Sequence, residues 1–170
     1  AAGKQIENPT EPIFISQETE LHKVGSSMTA VEQKVRGAAV RIINKEFGGH
    51  GTGSVIKHRG FTLVLTASHV VNGEPGNAYY AIKDDEIKKM YLIYSDEAND
   101  IAVLFLMEEF ENLEPIRFNP RDDILEVGEE ITYSGFPASH QLMSFRGKVA
   151  GYEDLPDIGR QIMLHTYGWF

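Results

Sequence analysis

The chain has 170 residues, 42% hydrophobic and 24% charged, the composition of a soluble globular protein long enough to bury a sizeable core. Its net charge of −9, from 16 Lys+Arg against 25 Asp+Glu, argues against nucleic-acid and anionic-membrane partners, because phosphates need basic patches. There is no cysteine, which excludes disulfides and thiolate metal sites and suits a reducing compartment. No apolar run approaches the ~18 residues of a membrane span. The N-terminus AAGKQIENPT lacks the apolar core of a signal peptide. A signal already removed would leave secretion open, so localisation stays unassigned.

Residues 1–27 are polar, carry Pro9 and Pro12, and read as an arm with one short strand in PIFIS. Thr29-Ala-Val-Glu32 has the spacing of a capping box and predicts a helix that ends near Gly37. Short strands joined by turns follow. AAVRIIN (38–44) leads to the glycine-rich turn FGGHG, then TGSVIK (52–57), the turn His58-Arg59-Gly60, and FTLVLT (61–66). Turn chemistry in NGEPGN precedes AYYAIK (78–83), KKMYLIYS (88–95) and IAVLFL (101–106). Residues 107–123 are acidic, contain Pro115 and Pro120, and read as a connector, with the EEFENLE run (108–114) solvated. A second strand set begins at EEITYSGF (129–136) and continues through QLMSFRGKVAGYE (141–153) and RQIMLHTY (160–167). Strands this short, rich in β-branched and aromatic residues, indicate an all-β barrel or sandwich. The first set, residues 38–106, is expected to close as a six-strand antiparallel barrel with Gly53, Thr66 and Ala67 near its rim.

Within this pattern LVLTASHVVNG (63–73) stands out, because an apolar strand runs into a histidine flanked by small residues. Taken alone, His69 is ordinarily a surface or satisfied residue. Thr66-Ala67-Ser68 lets the backbone turn sharply and leave the ring accessible. A carboxylate candidate exists in SDEANDIAVLFL, where Asp100 directly precedes an apolar strand. Asp100 alone could be a strand-start or turn residue. Together the two make a sharper hypothesis. An aspartate at a barrel rim accepts the histidine Nδ1–H, fixes the tautomer and leaves Nε2 free as a general base.

The segments GTGSVI, FTLVLTASHVVNG, NDIAVLFL, VGEEITYSGFP and FRGKVAG, in that order, resemble the chymotrypsin-like (trypsin-like) serine endopeptidases, above all their disulfide-free HtrA-like and viral branches. The resemblance covers roughly residues 30–170. It implies two antiparallel β-barrels with a short N-terminal helix, a polypeptide substrate and no cofactor. It places the catalytic histidine at His69 and the catalytic aspartate at Asp100. Gly135-Phe136-Pro137 and Gly147-Lys148-Val149 match family elements of the second lobe. The division implied is an arm over 1–28, a first barrel over 29–110, a connector over 111–128 and a partial second barrel over 129–170.

One family element has no match. The nucleophile sits in Gly-x-[Ser/Cys]-Gly, on a turn whose N–H groups form the oxyanion hole. None of the serines, from Ser16 to Ser144, has that context; Ser134-Gly135 comes nearest. RQIMLHTYGWF resembles the strand and loop that run into the nucleophile turn, so the nucleophile is expected just after Phe170, in a chain that is truncated, nicked or longer. The same missing segment is a candidate partner that completes the second barrel. His165, on the last strand, is weighed as a wall of the substrate pocket against an ordinary strand residue. His50 on its glycine turn is read as solvated, and six histidines without H-x₃₋₅-H or H-E-x-x-H spacing give no zinc site. Two other classes compete with an endopeptidase. One is an inactive pseudoprotease serving as a binding or structural module, and the other is a small interaction domain in which His69 and Asp100 match by chance.

Overall fold

The computed structural model describes residues 23–44 and 50–166. The PIFIS segment, most of the turn after the first strand and the last four residues, 167–170, lie outside the described residues. Thr29 caps helix α1 (Ala30–Gly37). The Glu32 N–H donates to the Thr29 hydroxyl at 3.2 Å, and the Thr29 N–H donates to the Glu32 carboxylate at 3.3 Å. This is the reciprocal box that the spacing predicts. The far end of α1 is closed from outside, since the Lys83 ammonium donates to the Arg36 and Ala39 carbonyls at 3.0 and 2.9 Å. Burial pulls the Lys83 pKa down.

Six strands follow: β1 (Ala39–Ile43), β2 (His50–His58), β3 (Phe61–Thr66), β4 (Ala78–Lys83), β5 (Glu86–Asp96) and β6 (Ile101–Leu106). They pair in the order β1-β4-β5-β6-β3-β2, and a β1–β2 pairing closes the ring into an antiparallel barrel. Period-two alternation fills its interior. In β6, for example, Ala102, Leu104 and Leu106 are buried while Val103 and Phe105 face outward. Val40, Ile42, Val55, Val64, Leu92 and Leu104 are each 1% exposed or less, and they form one continuous core. The β2–β3 hairpin pairs His58 with Phe61 across Arg59-Gly60, at φ 49° and 83°. Positive φ at both positions matches the right-handed strand twist, and glycine accepts it without strain.

The acidic segment after β6 differs from the solvated connector that its composition suggests. Phe110 is 7% exposed and belongs to the barrel core, and Leu113 packs against it. Local charge hid an apolar pair whose burial only the barrel wall provides. Beyond it β7 (Ile116–Arg117), which strand patterning does not reveal, pairs parallel to β2 at Ile56 and Lys57. That is the stretch of β2 that β1 leaves uncovered, because β1 pairs only with residues 50–54.

A second, antiparallel sheet has the order β10-β9-β8, from β8 (Glu130–Gly135), β9 (Met143–Leu155) and β10 (Gly159–Thr166). Helix α1 ties it to the barrel. The Arg146 guanidinium meets the Glu32 carboxylate at 2.8 Å, and Arg36 donates to the Ser144 hydroxyl at 3.0 Å. Burial opposes ionisation of Glu32, but hydrogen bonds from Thr29 and Arg146 outweigh it and hold its pKa below the ordinary value.

Candidate active site

Strand register brings His69 and Asp100 together. β3 and β6 pair Thr66 with Ala102, so the chain leaving β3 and the chain entering β6 run side by side past the barrel rim. After Thr66 the backbone stays extended at Ala67 and then makes one helical turn, α2 (Ser68–Val71). Val71 anchors that turn, being 1% exposed within the core, while the Tyr79 hydroxyl donates to its carbonyl. Thr66 Oγ1 donates to the Thr52 carbonyl at 2.7 Å, which fixes the strand end from the other side. Sharp turning through small residues therefore takes the form of a short helix rather than a loop.

Asp100 closes a turn that begins at Asp96, whose carboxylate accepts the Asn99 N–H and side-chain amide. Its φ of 56° is left-handed, a region that aspartate tolerates better than most residues. The His69 ring Nδ1 lies 2.8 Å from Asp100 Oδ2, and the His69 backbone N–H donates to Oδ1 at 3.0 Å. Ser68 Oγ donates to the same Oδ1 at 3.0 Å. The His69 backbone N–H and then its ring hold the Asp100 carboxyl below its ordinary pKa against the cost of desolvation, with a lesser contribution from the Ser68 hydroxyl. The carboxylate is therefore ionised at neutral pH and can only accept, so Nδ1 carries the N–H, and the neutral form of such a ring has its lone pair on Nε2. The imidazole side chain is 74% exposed, so Nε2 is accessible from outside the barrel. An ion pair this open to water contributes little to stability, and what it provides is orientation.

The second sheet meets the barrel at the same β2 end. Phe136 N–H donates to Thr52 Oγ1 at 2.8 Å, and a Cβ on Gly135 would fall 2.9 Å from that oxygen, so only glycine permits this approach. The Arg41 guanidinium lies 4.6 Å above the Phe136 ring and donates to the His140 carbonyl at 2.9 Å. The Gly135-Phe136-Pro137 stretch is thus seated on the barrel one residue from Gly51, over which Val70 of α2 lies.

His165 sits exposed on β10, paired with Lys148, and makes no hydrogen bond to His69 or Asp100. His50 opens β2 opposite Ile43 instead of lying in the turn. Among the described residues no cluster of three metal-ligating side chains occurs, and no helix is long and apolar enough to cross a membrane. Sequence reasoning passed over two site residues, Ser68 and Thr52. Ser68 precedes the histidine directly, but only the β3–β6 register shows that it faces Asp100.

A closed antiparallel barrel with a carboxylate-oriented imidazole at its rim, and a second antiparallel sheet docked at the same end, defines the chymotrypsin-like class of fold. The family model described as the trypsin-like peptidase domain matches residues 51–169, and the chain belongs to that family. Among solved structures, the inactive form of the Rv3671c protease of M. tuberculosis aligns with a TM-score of 0.64 at 18% identity, covering 82% of this chain and 71% of that one. Deg5 aligns with a TM-score of 0.59 at 22% identity, covering 79% and 70%. A serine endoprotease from Yersinia pestis aligns with a TM-score of 0.59 at 21% identity, covering 76% of this chain and 46% of that one. At such identities the likeness is one of fold. Comparison with curated proteins gives no match.

Proposed function

We propose that this chain supplies the general base and its orienting carboxylate to a serine-type endopeptidase that hydrolyses polypeptides by acyl transfer. The observation that carries the reading is the 2.8 Å contact between His69 Nδ1 and Asp100 Oδ2 within a trypsin-like peptidase domain. His69 Nε2 takes the proton of an attacking serine hydroxyl as its oxygen bonds to the scissile carbonyl carbon. The imidazolium then returns that proton to the leaving amine as the C–N bond breaks. Water, deprotonated by the same nitrogen, releases the acid and restores the serine. Asp100 keeps its charge throughout and steadies the imidazolium.

In this reading the nucleophile belongs to a Gly-x-Ser-Gly turn in polypeptide outside these 170 residues, and the N–H groups of that turn stabilise the oxyanion. The same polypeptide adds strands to the β8–β10 sheet. Ser68 is not the nucleophile, because its hydroxyl points to Asp100, on the Nδ1 side of the ring. His165, on the strand next to that expected turn, is the candidate wall of the substrate pocket.

The gene, expressed from its own start codon to its own stop codon and treated with a fluorophosphonate, tests this. The expected result is one modified serine outside residues 1–170, with the label lost in His69→Ala. Turnover of a peptide substrate by His69→Ala should fall by several orders of magnitude, since members of such a unit act together. A full-length, folded protein that carries no Gly-x-Ser-Gly serine and takes no label would overturn the proposal in favour of a binding module.

A further inference from the structure

We propose that Ser68 is a positioning residue for the pair, its hydroxyl locking the Asp100 carboxylate in the rotation that aims Oδ2 at His69 Nδ1. The proposal rests on the general-base reading of His69. Strand register sets the two residues face to face. Extending the Thr66–Ala102 register by two positions brings Ser68, two residues past β3, opposite Asp100, one residue before β6. The hydroxyl and the His69 backbone N–H converge on Oδ1, each at 3.0 Å, and Oδ2 is left to the ring at 2.8 Å.

The environments of the three groups differ in a way that assigns the roles. Ser68 is 6% exposed, whereas the Asp100 and His69 side chains are 49% and 74% exposed. Water competes for the exposed pair but not for the buried hydroxyl. The torsion that turns a carboxylate plane is broad and weakly restrained. The His69 N–H and ring grip the two oxygens from the exposed side, and the Ser68 hydroxyl adds a buried second donor on Oδ1 that narrows the swing left to the plane. A hydroxyl has a single proton to give. Here it goes to an ionised oxygen, the stronger kind of hydrogen bond. Asp100 also lies just outside β6 at a left-handed φ, so regular sheet pairing does not restrain it. Loss of the Ser68 hydroxyl should release the carboxylate, weaken its hold on Nδ1–H and shift the ring toward the Nε2–H tautomer, in which Nε2 has no lone pair for a proton.

Ser68→Ala keeps the small side chain and removes the donor. In the full-length gene product labelled with ¹⁵N-histidine, the ring shifts of His69 report the tautomer ratio, and a peptide substrate reports kcat and KM. The expected result is a smaller Nδ1–H population and a kcat lower by about tenfold to a hundredfold, the size of one charge-assisted hydrogen bond, with KM unchanged. In an Asp100→Ala background the same substitution should change neither quantity further, because the acceptor it served is gone. An unchanged tautomer ratio and kcat in Ser68→Ala would overturn the proposal, as would an equal effect with and without the Asp100 carboxylate. If Asp100→Ala alone leaves the ring tautomer untouched, the pairing itself fails, and that outcome is distinct from a silent Ser68→Ala beside a responsive Asp100→Ala.

Discussion

Gly53→Ala tests the packing that closes the barrel beneath the site. Gly53 lies on β2 opposite Val40 of β1, and it is buried. A Cβ there would stand 2.5 Å from Val64 Cγ1 and 2.8 Å from Ile42 Cδ1, where ordinary contacts begin at 3.4 Å. Neither neighbour has room to retreat, since Val64 is 0% and Ile42 1% exposed within the same core. Val64 is β-branched, so its χ1 angle is stiff. Ile42 can move only its terminal methyl, and only into filled space. Overpacking of this kind costs about 1–3 kcal/mol. With two clashes and one rigid partner, roughly 2 kcal/mol is expected, or about 4–8 °C in Tm for a chain of this size. Urea denaturation should show a lower midpoint at unchanged m-value. Val64→Ala in the same chain removes the harder clash, so the double variant should lose less than the sum of the two singles. A Gly53→Ala protein within about 0.5 kcal/mol of the parent, or strict additivity with Val64→Ala, would refute the close approach of β2 to the core.

Phe110→Ala should cost about 3–5 kcal/mol, as for a buried aromatic, whereas Glu114→Ala in the same acidic run should stay within ~0.5 kcal/mol. Denaturant midpoints measure both, and a Phe110→Ala loss under about 1 kcal/mol would restore the solvated-connector view. Glu32 predicts an acid sensitivity. Its folded-state pKa lies below the ordinary 4.5, so the unfolded chain takes up the proton first as pH falls. The stabilisation is fully present above the unfolded-state value and is lost as pH drops through the lower, folded-state one. Glu32→Gln should flatten the slope of stability against pH in that acid window, and an unchanged slope would remove Glu32 from the account.

Much of the molecule follows from neighbours along the chain. The Thr29–Glu32 cap, the Arg59-Gly60 hairpin and the alternating runs of β3 and β6 depend on residues within a few positions of one another, and local sterics and hydrogen bonding settle them. His69 and Asp100 were legible as a pair because each ends or begins an apolar strand in a recognisable setting. The sequence could not supply register. Which residue of β3 lies across from which residue of β6 depends on side-chain packing summed over strands more than 30 positions apart, and that packing sets Ser68 rather than a neighbour against Asp100. The same holds for Phe110, whose acidic surroundings predict water but whose ring finds the barrel core, and for β7, two residues long, which exists only because β1 leaves part of β2 unpaired. Nothing in the sequence singles out Arg36, Arg41 or Arg146. Only the folded chain shows them holding the second sheet against the barrel, because their partners at Ser144, His140 and Glu32 lie some hundred residues away.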